Sequence, residues 1–149
     1  MNRLRDHIAV DCSVQDAQSR IDAYLASLRG KDGVAHLRLR VPVVADGFAL
    51  SLDREVRVEA RRTRDEENLN DLIRISWQPE GKAVFPAFEG TLVVWGEDNP
   101  EQSFIELDGG YAPPFGTTGQ AFDSVIGQRI AHQTARQFLS DLKAALERS

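Results

Sequence analysis

The spacing of apolar residues changes several times along the chain, and each change marks an element. His7 to Val10 reads as a short first strand. Ser13, followed by Val14, Gln15 and Asp16, then begins a helix: the serine hydroxyl can accept an orphan backbone amide, and Asp16 sits at the positive end of the helix dipole. Ala17, Ile21, Tyr24, Leu25 and Leu28 continue at three-and-four spacing over a run from Val14 to Arg29, and Gly30 is expected to end it as a left-handed cap. From Gly33 the period becomes two. Leu37, Leu39, Val41 and Val43 alternate with Arg38 and Arg40, which puts the apolar residues on one sheet face, and Pro42 points to an edge or a strand end. Ala45-Asp46-Gly47 is turn chemistry. Phe48, Leu50 and Leu52 alternate next, then Val56, Val58 and Ala60, with Asp53-Arg54 read as a tight turn or bulge between them.

Arg62 to Asp71 is charged or amide-bearing at nearly every position, which predicts an exposed hairpin connection. Ile73, Ile75 and Trp77 alternate again and stop at Pro79-Glu80-Gly81; Phe88 to Trp95 and Ser103 to Leu107 are the last two strands. Six or seven strands in hairpin order imply an antiparallel sheet. Gly109 to Gly116, with Pro113-Pro114 inside it, is expected to leave the sheet as a crossover, because paired prolines donate no amide to a ladder. Thr117 with Gln120 forms a plausible capping box, strengthened by Asp123. Phe122, Val125, Ile126, Ile130, Ala131, Ala135, Phe138, Leu139, Leu142 and Leu146 then make one apolar stripe. A helix from about Thr118 to Leu146 runs roughly 40 Å, enough to cross a sheet.

Composition narrows this to one α+β domain over residues 1–149, since a chain of this length buries a real core without a disulfide or structural metal. A net charge of −5 disfavours nucleic acid and anionic membranes. Lone Cys12 precludes an internal disulfide and points to a reducing, cytoplasmic setting. The mixed stretch His7 to Ser13 is too short for the apolar core of a signal peptide, and no run reaches the ~18 apolar residues that span a bilayer, so no membrane insertion is expected.

The order of strand, helix, antiparallel strands and long terminal helix resembles the helix-grip fold of the START-like (SRPBCC) superfamily, with its Bet v 1-like and polyketide cyclase-like members. The likeness is closest in Ile105-Glu106-Leu107, Gly110-Tyr111, Pro113-Pro114, Gly119, Asp123 and the ending Phe138-Leu139-Ser140-Asp141-Leu142-Lys143. Those proteins often carry two short helices after the first strand, where here a single run from Val14 to Arg29 stands. The resemblance implies a curved sheet of six to seven strands gripping the C-terminal helix, with an apolar cavity between them. Carriers, sensors, chaperone co-factors and enzymes share that plan, and no common catalytic set exists to carry over.

Candidate chemistry is sparse. His7, His36 and His132 lack metal-ligand spacing, so no metal is expected, and no cofactor is implied. No nucleophile elbow or Cys/His signature occurs, and Cys12 reads as a small buried residue. The glycines at 109, 110, 116 and 119 lack a phosphate-loop lysine. Arg38, Arg40, Arg57, Arg61 and Arg74 fall on the face opposite the apolar one, with Glu55, Glu59 and Glu106 at hand for cross-strand pairing. Trp95 fits either face.

The inward residues Leu39, Val58, Ile75, Trp77, Leu92 and Ile105 face Phe122, Ile126 and Ile130, and Tyr111 and Asp123 stand at the rim. They either fill a core or line a site for a small apolar or amphipathic ligand, bound without covalent chemistry. A cyclase, aromatase or hydrolase in the same cavity would need convergent ionisable groups there. An interaction module with a filled core is the third option; monomer and homodimer both remain open, the dimer pairing through Leu92 to Trp95.

Overall fold

The computed structural model describes residues 2–45, 48–64, 71–80, 86–112 and 124–148, with the backbone alone for 41–45, 48–52, 54 and 124–126. The chain order is β1 (Asn2–Val10), α1 (Val14–Ser27), β2 (Ala35–Ala45), β3 (Phe48–Arg64), β4 (Asp71–Pro79), β5 (Ala87–Trp95), β6 (Ser103–Ala112) and α2 (Ser124–Arg148). All six strands join one antiparallel sheet in the order β1-β6-β5-β4-β3-β2. The two edges are therefore β1 and β2, and β2 tolerates Pro42 because its outer side needs no amide donor.

The sheet curls into a half-barrel around α2. At 25 residues α2 is about 37 Å long, and it contacts both edge strands, filling the gap between them. Arg136 donates to the backbone oxygen of His7 at 2.9 Å and Lys143 to that of Ala9 at 3.0 Å, tying the helix to β1. Arg20 of α1 donates to the Leu146 carbonyl at 2.9 Å and so satisfies one orphan acceptor at the end of α2.

Gly90 and Gly109 face each other across β5 and β6. A Cβ on Gly109 would lie 2.2 Å from the Glu89 carbonyl oxygen, and one on Gly90 would lie 2.3 Å from that of Asp108. Both glycines share the concave face with Phe88, Leu92 and Leu107, whose side chains are buried. Two side-chain-free positions opposite one another let the strands pinch on the inner face, and the Phe88 ring lies over Gly90.

Several sequence expectations need correction. β1 starts at Asn2 and not His7, because Leu4 and Ile8 continue the inward face beside β6. The first helix ends at Ser27 with Leu28 as a right-handed cap, so Gly30 is not its left-handed terminator; the reversal is made by the Arg29–Ala35 bridge and by Gly33 at φ 79°. Asp53-Arg54 is neither turn nor bulge: β3 runs unbroken past it, in register with β2 on one side and, from Val56 on, with β4 on the other.

β6 also extends beyond Leu107, with Gly109 to Tyr111 paired to strands on both sides and Ala112 to β5, so the departure from the sheet comes later than expected. Gly109, which reads as a ladder breaker, is what allows the two backbones to pack closely there. The expected prolines, capping box, Phe122 and Asp123 lie outside the described residues, as do Asp46-Gly47, Gly81 and most of the polar connection after Arg64.

Candidate functional site

The core between sheet and helix is continuous. Val58, Ile75, Trp77, Leu92, Ile105, Tyr111 and Ile130 all belong to it, at most 3% exposed. Ile126 lies in α2, where only its backbone is described. Tyr111 departs from expectation: instead of standing at a rim, it is a buried, inward residue of β6, because the strand carries on past it.

Trp77 is the centre of this interior. Its ring stacks on Phe88, the cross-strand partner, with centroids 4.5 Å apart, and tilts against Phe138 of α2 at 5.3 Å. The indole Nε1 is buried and makes no hydrogen bond. An unmet donor in a dry interior costs about 1–3 kcal/mol. Trp77 borders a void with Leu4, Pro86, Phe88, Tyr111, Ala131 and Thr134. The non-atom space there is about 150 Å3, and it is too narrow to admit a water-sized sphere.

Of the residues expected to line a ligand cavity, the structure brings Trp77 and Tyr111 to this void; Val58, Ile75, Leu92, Ile105 and Ile130 pack elsewhere in the core. Leu4 was missed because β1 was started too late. Phe88 and Thr134 were legible as partners, one sharing parity with Leu92 and the other lying four residues after Ile130. Thr134 donates its hydroxyl to the Ile130 carbonyl at 2.6 Å, leaving the oxygen's lone pairs as an acceptor. Among the described residues, the buried polar or charged side chains are Ser103 and Thr134, alongside the Trp77 indole and the Tyr111 phenol. No buried carboxylate, amine or imidazole faces the void among them.

A second space opens where β3 outruns its neighbour. β2 pairs with β3 only as far as Val58, so Glu59 to Arg64 bond to β4 alone. Between that free edge and α1 lies a groove of about 490 Å3, bordered by Leu25, Arg29, Val58, Ala60 and Arg62. Arg62 reaches across to both carboxylate oxygens of Asp22 at 2.8 Å. The groove is open and charged, a poor match for an apolar guest.

The outer face carries ion pairs, as expected for its arginines, with partners the sequence did not single out. Arg38 and Arg40 both meet Asp53, at 3.0 and 3.5 Å, and Glu106 pairs with Arg5. Trp95 resolves to the outer face, stacked on Phe104 with centroids 5.5 Å apart. Also on that face, His36 meets Asp32 through Nε2 at 3.5 Å and Glu80 through Nδ1 at 2.5 Å. Desolvation opposes its charged form, yet the pull of Asp32 and Glu80 prevails and raises its pKa.

The same architecture recurs in solved structures. A conserved protein from Geobacillus kaustophilus superposes over the whole chain with a TM-score of 0.58 at 11% identity, covering 97% of its own length. A protein from Thermus thermophilus matches 97% of this chain and 96% of its own, with a TM-score of 0.54 and 17% identity. The Zhui aromatase/cyclase from Streptomyces sp. R1128 matches 99% of this chain and 92% of its own, with a TM-score of 0.54 and 14% identity. This chain has the START-like helix-grip fold. No protein-family model and no curated protein sequence matches it. At such identities the likeness concerns the fold, so the helix-grip interior has to be read from its own residues. Among the described residues no helix is long and apolar enough to cross a membrane.

Proposed function

We propose that the helix-grip interior binds a small, mainly apolar molecule non-covalently, with a hydrogen-bond acceptor on the guest meeting the Trp77 indole N–H. The observation that carries this reading is the unpartnered Nε1, buried beside a void whose other walls are apolar apart from the Tyr111 and Thr134 hydroxyls. Apolar burial would supply most of the affinity and the single donor its orientation. Phe122, Asp123 and Ile126 remain candidates for the far wall, together with Val58, Ile75, Leu92, Ile105 and Ile130 around it. The absence of a buried acid–base pair among the described residues favours a binder over a cyclase or hydrolase, because proton transfer needs a positioned group of suitable pKa.

A filled-core interaction module is the second reading, and the narrowness of the void favours it. Acetophenone and ethylbenzene distinguish the two, since they share shape and differ in the carbonyl acceptor. The binder reading expects calorimetric titration to show the ketone binding about fivefold to tenfold more tightly, the worth of one hydrogen bond. Trp77→Phe should abolish that difference while retaining the ring packing. If neither compound binds, or if both bind equally to the wild type, the Trp77-centred site is wrong and the filled core stands.

A further inference from the structure

Three acidic side chains surround one imidazole where β2, β3 and β4 come together on the outer face. His36 opens β2, Glu55 lies on β3, and Glu80 directly follows β4. The backbone sets where each residue enters. The amide of His36 donates to Leu28 O at 3.1 Å, and that of Glu80 to Glu55 O at 3.4 Å, extending the β3–β4 ladder by one step. One ligating atom from each of His36, Glu55 and Glu80 lies within 4.8 Å of the other two.

The imidazole is held as a ligand would be. Its Nε2 is turned to Asp32 Oδ2, and Asp32 is anchored by accepting the Val34 amide at 3.0 Å. A carboxylate on the far nitrogen fixes the ring's orientation and sharpens the donor character of the other. That other nitrogen, Nδ1, is shut off from solvent and makes no well-aligned hydrogen bond, although Glu80 Oε1 stands 2.5 Å away. With Glu80 Oε1 at 2.5 Å and a Glu55 oxygen within 4.8 Å, a nitrogen and two carboxylates converge on one point that a cation would complete. Of the nearby cations, Arg38, opposite Glu55, is paired with Asp53, and Arg57 lies opposite His36.

We infer that His36 Nδ1, Glu55 and Glu80 form a binding site for a divalent transition-metal ion, with Asp32 as the positioning residue behind the histidine. One nitrogen and two carboxylate oxygens suit Zn2+ and similar first-row ions. Metal–ligand distances of about 2.0–2.2 Å put tetrahedral ligands roughly 3.3 Å apart, so His36 Nδ1 and Glu80 Oε1, now 2.5 Å apart, must open slightly while the wider separations, at most 4.8 Å, close. Rotation of two partly or fully exposed glutamates supplies that movement. The fourth position is left to water or an exogenous ligand. The site lies on the convex face and is independent of the interior around Trp77.

Calorimetric titration of the full chain with Zn2+ tests this directly, with Co2+ absorption reporting coordination geometry. One equivalent is expected to bind, with the visible bands of a low-coordinate Co2+ complex. His36→Ala and Glu80→Gln should each weaken binding at least about tenfold, Asp32→Asn about tenfold, and His132→Ala not at all. Glu80→Gln preserves shape and polarity, so it stands as the decisive variant should His36→Ala fold poorly. No binding by the wild type, or binding that Glu80→Gln and His36→Ala leave unchanged, overturns the proposal.

Discussion

The pinch between β5 and β6 makes a strong quantitative claim. Replacing Gly109 with alanine would place a methyl carbon 2.2 Å from Glu89 O and 2.5 Å from Gly90 Cα, both backbone atoms within a paired ladder. Ordinary contacts of that kind need more than 3 Å, so the strands must part by about an ångström at the centre of the curl. Overpacking costs of about 1–3 kcal/mol are usual, and the rigidity of these neighbours argues for the upper end, about 3 kcal/mol. With a urea dependence near 2 kcal/mol per molar, the unfolding midpoint should fall by about 1.5 M, followed by far-UV circular dichroism and tryptophan fluorescence. Gly33→Ala provides the comparison. Its φ of 79° makes alanine strained, but nothing lies within 4 Å of the added carbon, so the loss should be about 1 kcal/mol. Combined with Gly90→Ala, the Gly109 substitution should cost clearly less than the sum of the singles, because one parting of the strands relieves both clashes. A Gly109→Ala protein with an unchanged midpoint would refute the reasoning that paired glycines set the curvature.

Two further substitutions test the grip itself. Phe138→Ala removes a fully buried ring that packs against Trp77 and should cost about 3–5 kcal/mol in urea unfolding, with a shift in the buried tryptophan's emission. Ser13→Ala deletes the hydroxyl that accepts the Asp16 amide at 3.1 Å; a loss of about 1 kcal/mol is expected, with no change in the unfolding slope.

The interior around Trp77 is built mainly from aromatic side chains. Among the described residues, Trp77, Phe88 and Phe138 pack between sheet and α2, with a narrow gap beside the indole donor. As it stands the gap does not admit a water-sized sphere, so the binding reading proposed above requires the interior to widen around any guest. The charged groove along the free edge of β3 is a separate space with different chemistry.

Element types, their order and the inward faces were legible in the chain alone. The three-and-four stripe of α2 and the alternation of Leu37 and Leu39, Val56 and Val58, and Ile73, Ile75 and Trp77 are local signals, written by the geometry of each element. The capping function of Ser13 was equally local. The rest was settled by tertiary contacts, because it depends on residues distant in sequence. Gly109 reads as a breaker, whereas the close approach of β5 is what requires it. Tyr111 moved from rim to interior with the same change. His36 had no ligand spacing along the chain, and only the registers of β2 with β3 and of β3 with β4 bring it to Glu55 and Glu80. How tightly the core is filled was likewise not local, since apolar periodicity marks which side chains point inward but carries no measure of the space between the sheet and the helix it surrounds.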